Sequence, residues 1–273
     1  MVTEGDPTQA MVDIHCHVLP GVDDGAPTME VALAMLQRGA QDGTRSAVVT
    51  PHIKAGAGKE ISEFHHRRLG ELREAAARAD IPVELHQGAE FEFCFGLEVA
   101  AQWLTVGLAG SHYILVDLPH GPLSPFVGKG FFELMAAGFR PILAHPERHR
   151  ELALSRSLME RLRHQGLLFQ VTAGSFTGGF GRRAQATAEM MLREGWVEFV
   201  ASDGHSLVKR PLSLRSARAR VEELGGSDEA MRLFYHNPRA LIQGEPISVV
   251  HPSRSPNASR QLSAWRRLLQ RFY

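Results

Sequence analysis

Cysteine is nearly absent from this chain, with only Cys16 and Cys94 among 273 residues. Two thiols cannot build the disulfide framework on which small secreted folds depend. Net charge is missing as well, because 30 basic and 30 acidic side chains cancel. No global field therefore draws the protein to nucleic acid or to an anionic membrane. No uninterrupted apolar run nears the roughly 20 residues of a membrane-spanning helix, and no charged-then-apolar leader precedes Met11. A cytoplasmic protein without a nucleic-acid partner is expected. Internal repeats and low-complexity tracts are also absent before Val250.

What is present is an ordinary globular composition, 44% hydrophobic and 22% charged. Seven strand-like runs recur: MVDIHCHVL, SAVVTPH, VELHQGAE, YILVDLP, PILAHPE, LLFQVTAG and VEFVASDGH. Between most of them lie helical patterns at Met29 to Gln41, Glu60 to Ala79, Lys129 to Ala137, Ser155 to His164, Arg182 to Arg193 and Leu212 to Leu224. Thr28 and Ser155 are candidate N-caps, and Gly39, Gly43, Gly166 and Gly195 read as helix exits. Strand-helix alternation of this kind predicts an α/β fold with a parallel sheet. One domain is expected over residues 1–250. The remaining stretch, 251–273, is Ser/Pro-rich, then basic, and lacks any acid.

The polar residues fall at particular places along these runs. In VDIHCHVLPGVDDG, alternation puts Asp13, His15 and His17 on one strand face and Ile14, Cys16 and Val18 on the other. Pro20 and Gly21 then break the strand, so Asp23 and Asp24 sit on a loop able to fold back over the imidazole pair. His52, Glu90, Asp117, His145, Asp203 and His205 lie at or near the C-terminal ends of other strands. In a βα barrel those ends form one face, which holds the active site; an open doubly wound sheet would gather such groups at one switch point instead. Six strands contributing chemistry favour a barrel. Imidazoles with carboxylates suit Zn, Mn or Fe, and carboxylates can bridge two ions.

The segments DIHCHVLPGVDDG, VVTPH, GAE, LAHPERH, QVTAGSFTGGFG, ASDGHS and NPRAL, from about Val12 to Leu241, resemble the PHP (polymerase and histidinol phosphatase) superfamily. Within it they are similar to the bacterial metal-dependent protein-tyrosine phosphatases of capsular and exopolysaccharide synthesis. The resemblance implies a distorted (β/α)7 barrel with three divalent metals. By position, His15, His17, Glu90 and Asp203 would surround one metal, with Glu90 bridging to a second held by Asp117 and His145. Asp24, His52 and His205 would hold the third. Arg148 and Arg210 would grip the phosphate, since guanidinium pairs bidentately with phosphoryl oxygens. The implied partner is a tyrosine-phosphorylated protein, a bacterial tyrosine kinase above all. The chain departs from the family in having Asp117 where Glu is usual, and Ile53 and Lys54 where a second His commonly follows His52.

On this reading the chain is a phosphomonoester hydrolase acting on phosphotyrosine, with hydroxide supplied by a metal-bridging water of lowered pKa. A small-molecule phosphatase of the histidinol-phosphate type is the runner-up, and a catalytically silent scaffold for phosphorylated partners lies outside the enzyme class. Thiol chemistry is excluded: a Cys-x5-Arg loop would need arginine at Val22 or Ala100. Cys16 reads as a small buried hydrophobe. GSFTGGFG lacks phosphate-loop spacing and reads as a strand-to-helix turn shaping the rim. The HHRR run from His65 to Arg68 reads as a solvated helix face. His86, His112, His120, His149 and His164 read as surface or satisfied histidines. In the tail, Leu262, Trp265, Leu269 and Phe272 share one helical stripe, with Arg266, Arg267 and Arg271 elsewhere. Packing on the barrel or on a second subunit is the favoured reading of that stripe, and peripheral membrane contact is the other.

Overall fold

The computed structural model describes residues 10–54, 59–97, 107–119 and 121–250. His120 and the expected tail helix lie outside the described residues. All seven strand-like runs are strands, and two of them are each broken in two. Strands β1 (Met11–Cys16), β2 (Thr44–Val49) and β4 (Glu84–Gln87) form one parallel sheet in the order β1-β2-β4. A second parallel sheet runs in sequence order through β3 (His52–Ile53), β5 (Glu90–Glu92), β6 (Tyr113–Asp117), β7 (Arg140–Ala144), β8 (Leu168–Thr172) and β9 (Phe199–Ala201).

The breaks have local causes. Pro51 separates β2 from β3 and has no N–H to give a ladder. Gly88 separates β4 from β5 where a Cβ would stand 2.6 Å from Val48 Cγ1. Across both breaks the backbone stays in step, with Gly88 N–H donating to Val49 O at 2.9 Å and Glu90 N–H to Pro51 O at 3.1 Å. Two segments of the chain thereby leave one sheet and enter the other side by side. The consequence for chemistry is that His52 and Glu90 are direct cross-strand partners.

Helices cover the outer faces. In α1 (Met29–Asp42) the buried residues Ala32, Met35, Leu36, Gly39 and Ala40 recur at helical spacing. Thr28 caps it by accepting from Val31 N–H, and the exit is Gly43 at φ 110°. Gly39 is therefore not an exit. It lies inside the helix because Leu212 packs there, with Leu212 Cδ2 only 2.2 Å from where a Cβ would be. The other helices matching the expected patterns are α2 (Lys59–Arg78), α3 (Val127–Ala136), α5 (Arg156–His164), α7 (Gly181–Arg193) and α8 (Arg215–Gly225), with short α4 (Arg150–Leu154) and α6 (Ala173–Phe176) between them, and an unexpected helical stretch with a π turn follows over 227–242. Ser155 caps α5 by accepting from Leu158 N–H.

Apolar side chains from both sheets meet in one buried cluster: Ile14, Val48, Leu115, Ile142, Leu168 and Phe199 each come from a different strand. Cys16 instead packs with Val18, Val49, Met35 and Leu36 on the outer side, and its thiol donates to Val48 O. Burial, before the neighbouring carboxylates, pushes that thiol well above its usual pKa. The segment just past the last strand meets the end of the first through an isolated bridge, Cys16 to Gly204, flanked by Asp203 N–H to His15 O at 2.8 Å and His17 N–H to Gly204 O at 2.9 Å. That short seam brings His15, His17 and Asp203 together.

Candidate metal centre

The face above the strand ends is built around two imidazoles whose tautomers are set from behind. His15 Nδ1 donates to Gln170 Oε1 at 2.9 Å. His17 Nδ1 donates to Asp23 Oδ2 at 2.8 Å. In neutral rings both Nε2 atoms would thereby be left as lone pairs, yet they face each other at 3.1 Å. Glu90 Oε2 lies 3.2 Å from each of them, and Asp203 Oδ1 lies 3.4 Å from His15 and 3.6 Å from His17. All four side chains are essentially sealed from solvent.

The remaining histidines close round the same carboxylates. His52 reaches Glu90 Oε2 through Nδ1 at 3.1 Å and Asp24 Oδ1 through Nε2 at 3.4 Å. His205 Nε2 is also 3.4 Å from Asp24 Oδ1, while its Nδ1 donates to Asp203 O at 2.9 Å. On the opposite flank His145 Nε2 donates to Glu90 Oε1 at 3.0 Å, and its Nδ1 is 3.7 Å from Asp117 Oδ1. Among the described residues, three overlapping donor groups could each hold an ion: His15, His17 and Asp203; His15, Glu90 and His145; and His17, Asp24, His52 and His205. Asp117 stands at the edge of the cluster, outside these groups.

The chemistry of the donor set tests whether divalent metal suits it. Glu90 Oε2, Asp203 Oδ1 and His205 Nε2 are buried without a hydrogen-bond partner. Converging lone pairs and carboxylate oxygens of this kind repel one another unless positive charge lies among them. In the ion-free chain protons do that work. Burial disfavours a charge on His17, but its hydrogen bond to Asp23 and the Glu90 carboxylate outweigh burial and push it up to about 10. Glu90 and Asp203 are held well below the carboxylate range, His15 being the largest influence opposing their burial. His205 is driven down to about 4, by burial first and then by His17. Nitrogen and oxygen donors with this demand for charge fit Zn, Mn or Fe.

Two backbone conformations reinforce the picture. His145 at φ 34° and Asp203 at φ 51° occupy the left-handed region, which for residues with a Cβ costs on the order of 1 kcal/mol or more each. Arg148 and Arg210 both donate to Asp203 Oδ2, the oxygen turned away from the histidines. A cavity of about 570 Å³ opens beside Asp117, His145 and Arg148, with Leu118, Pro122 and Leu152 in its wall. Another of about 620 Å³ opens on the Asp24 and His52 side, lined also by Ile53, Lys54, Phe64 and His65.

All the residues expected from the motifs converge on this face. Asp23, expected with Asp24 on the loop over the imidazole pair, grips His17 there, although a ligand role is expected of Asp24 alone. Two features escape the sequence. Gln170 sits mid-strand and carries no signal. His65 is buried rather than solvated, because α2 lays that side against the loop carrying Asp23; burial lowers its pKa. The expected satisfied histidines include His86, bonded to Ser46 Oγ at 2.9 Å, and His164, bonded to Glu160 O at 2.8 Å.

Residues 11–243 match the family described as capsular polysaccharide synthesis, CpsB/CapC. The chain is 30% identical over 238 residues to the tyrosine-protein phosphatase YwqE of Bacillus subtilis, covering 87% of this chain and 93% of that one. It is 27% identical over 243 residues to the tyrosine-protein phosphatase CpsB of Streptococcus pneumoniae, covering 87% and 100%. A crystal structure from the work on those two proteins, described as unique metal-dependent tyrosine phosphatases, aligns with a TM-score of 0.78 and 29% identity over 89% of this chain and 98% of its own.

Proposed function

The chain belongs to the CpsB/CapC family of capsular polysaccharide synthesis, and from that premise we propose that it is a metal-dependent phosphomonoesterase hydrolysing phosphotyrosine in proteins. The observation that carries the reading is the pair of Nε2 lone pairs 3.1 Å apart, with tautomers fixed by Gln170 and Asp23 and the oxygens of Glu90 and Asp203 beside them. Such a set is stable only with cationic charge at its centre.

In this reading His15, His17, Glu90 and Asp203 would hold one ion, Asp117 and His145 with Glu90 would serve a second, and Asp24, His52 and His205 would hold a third. Bound divalent ions, whether manganese, iron or zinc, supply activated water near neutral pH and neutralise phosphoryl charge. The chain's own contribution is to bind and orient the ester. Arg148 and Arg210, anchored on Asp203, direct their remaining N–H groups to the equatorial oxygens, where charge stabilisation is most of what phosphoryl transfer asks of a protein. The cavity walled by Leu118, Pro122 and Leu152 receives the aryl group. A phenolate leaving group, with a pKa of about 10, needs less protonic help than an alkoxide.

The same reading takes the two sheets as arcs of one distorted (β/α)7 barrel, in support of which six strands contribute to a common interior cluster. It takes residues 1–250 as a single phosphatase domain, and the substrate as a tyrosine-phosphorylated protein of the cytoplasm, a bacterial tyrosine kinase included. No described helix is long and apolar enough to cross a membrane. Hydrolysis of a phosphotyrosine peptide against histidinol phosphate, under identical manganese conditions, tests the proposal. Preference for the peptide is expected. Faster turnover of histidinol phosphate would transfer the site to small molecules, and inactivity on both would leave a phosphoprotein-binding scaffold.

A further inference from the structure

The glycine-rich turn after β8 is tied to the site through a residue that neither the motif comparison nor the ligand set assigns. Arg148 is pinned at one guanidinium nitrogen by Asp203, and a planar group held at one point still pivots about it. Phe180 removes that freedom: the Arg148 Cζ atom lies 4.3 Å from the centroid of its ring, well inside the roughly 6 Å reach of a cation–π contact. The turn is shaped to present the ring. Gly178 and Gly181 adopt φ of 81° and 84° on either side of it, and Gly179 N–H donates to Gly174 O at 2.8 Å. At Gly174 a Cβ would stand 2.9 Å from Phe180 Cε2, so a side chain there would push the ring from its place.

The start of the same segment is anchored to the residue next to Arg148. Glu147, fully buried, accepts from Thr172 N–H at 3.0 Å and from Ser175 Oγ–H at 2.7 Å. Residues 172–180 therefore hold Glu147 at one end and Arg148 at the other. His145, two residues earlier, is locked to Glu90 at 3.0 Å. One rigid connection thus runs from the carboxylate at the centre of the histidine cluster to the plane of the arginine.

We propose that Phe180 is the positioning residue for Arg148: its ring fixes the guanidinium plane, so that the N–H groups not taken by Asp203 meet the phosphoryl oxygens of the substrate. The inference rests on the phosphatase reading above. Its test is a double-mutant cycle in the metal-loaded full chain, with Phe180→Leu made alone and in an Arg148→Ala background, and Phe180→Tyr as the conservative variant. Four quantities are measured: kcat/KM on p-nitrophenyl phosphate, calorimetric affinity for inorganic phosphate, metal content and melting temperature. Phe180→Leu is expected to lower kcat/KM and phosphate affinity about threefold to thirtyfold, the range of a partly desolvated cation–π contact, with metal content unchanged. Phe180→Tyr should restore both. In the Arg148→Ala background Phe180→Leu should change neither. Equal losses in both backgrounds, or no recovery with tyrosine, would assign Phe180 to packing alone and overturn the proposal. A metal-loaded wild type that neither binds phosphate nor hydrolyses the ester would instead remove the phosphatase reading, and this inference with it.

Discussion

Asp23→Asn isolates the device that fixes His17. The carboxylate uses both oxygens: Oδ2 accepts from His17 Nδ1 at 2.8 Å and from His52 N–H at 3.2 Å, and Oδ1 accepts from Gly25 N–H at 3.0 Å. An amide supplies one acceptor where the carboxylate supplies two. If its oxygen stays on Gly25, the NH2 group meets the N–H groups of His17 and His52 donor to donor; His17 must then move its proton to Nε2, which blocks the lone pair facing Glu90. If the oxygen turns to His17, Gly25 loses its partner. Either way a charge-assisted hydrogen bond of about 1.5–3 kcal/mol is forfeited. Loss of such a carboxylate behind a metal-binding imidazole lowers metal affinity roughly tenfold to a hundredfold, which corresponds to about 1.4–2.7 kcal/mol. Chelator-competition titration of manganese against wild type and variant reads this directly, with circular dichroism as the control on folding. Unchanged affinity in a folded variant would refute the argument that Asp23 sets the His17 tautomer.

Chelation should abolish phosphatase activity and manganese or cobalt restore it, while thiol alkylation leaves it intact, since Cys16 is buried with a raised pKa; inactivation by iodoacetamide with metal retained would contradict this. His15→Ala combined with His17→Ala should remove metal and turnover together with a near-native circular dichroism spectrum, and undiminished metal would show the ligands misassigned. Arg148→Ala should keep its metal yet lose roughly 2–4 kcal/mol of transition-state stabilisation in kcat/KM; an unchanged value would make Arg148 a surface charge. Gly25→Ala should lower both melting temperature and metal affinity, because the added Cβ would fall 2.0 Å from His17 O, and relieving an overpacked contact costs about 1–3 kcal/mol. Wild-type behaviour of that variant would mean the Asp23–Asp24 loop is not held against His17.

Sequence periodicity carried the elements themselves. Alternating and helical spacings marked all seven strand runs and helices α1, α2, α3, α5, α7 and α8, because each element must turn one face to a core whatever its neighbours are; the helical stretch 227–242 went unmarked. Thr28 and Ser155 were legible as caps since a side-chain oxygen answering an N–H three residues on is a local interaction. The donor residues were legible as well: metals take few residue types, and strand ends converge on one face in a parallel α/β fold. Tertiary packing decided the rest. Gly39 became a helix interior because Leu212, distant in sequence, fills the space beside it, and His65 became buried because its helix faces the Asp23 loop. The tautomer of His15, the seam joining Cys16 to Gly204, and the ring of Phe180 on Arg148 all pair residues separated by gaps that no repeat spans. Sequence alone determined which chemical groups stand at the strand ends, since spacing along one chain fixes faces. Only the fold decided which groups lie behind them and in what protonation, since those depend on contacts whose distance along the chain carries no period.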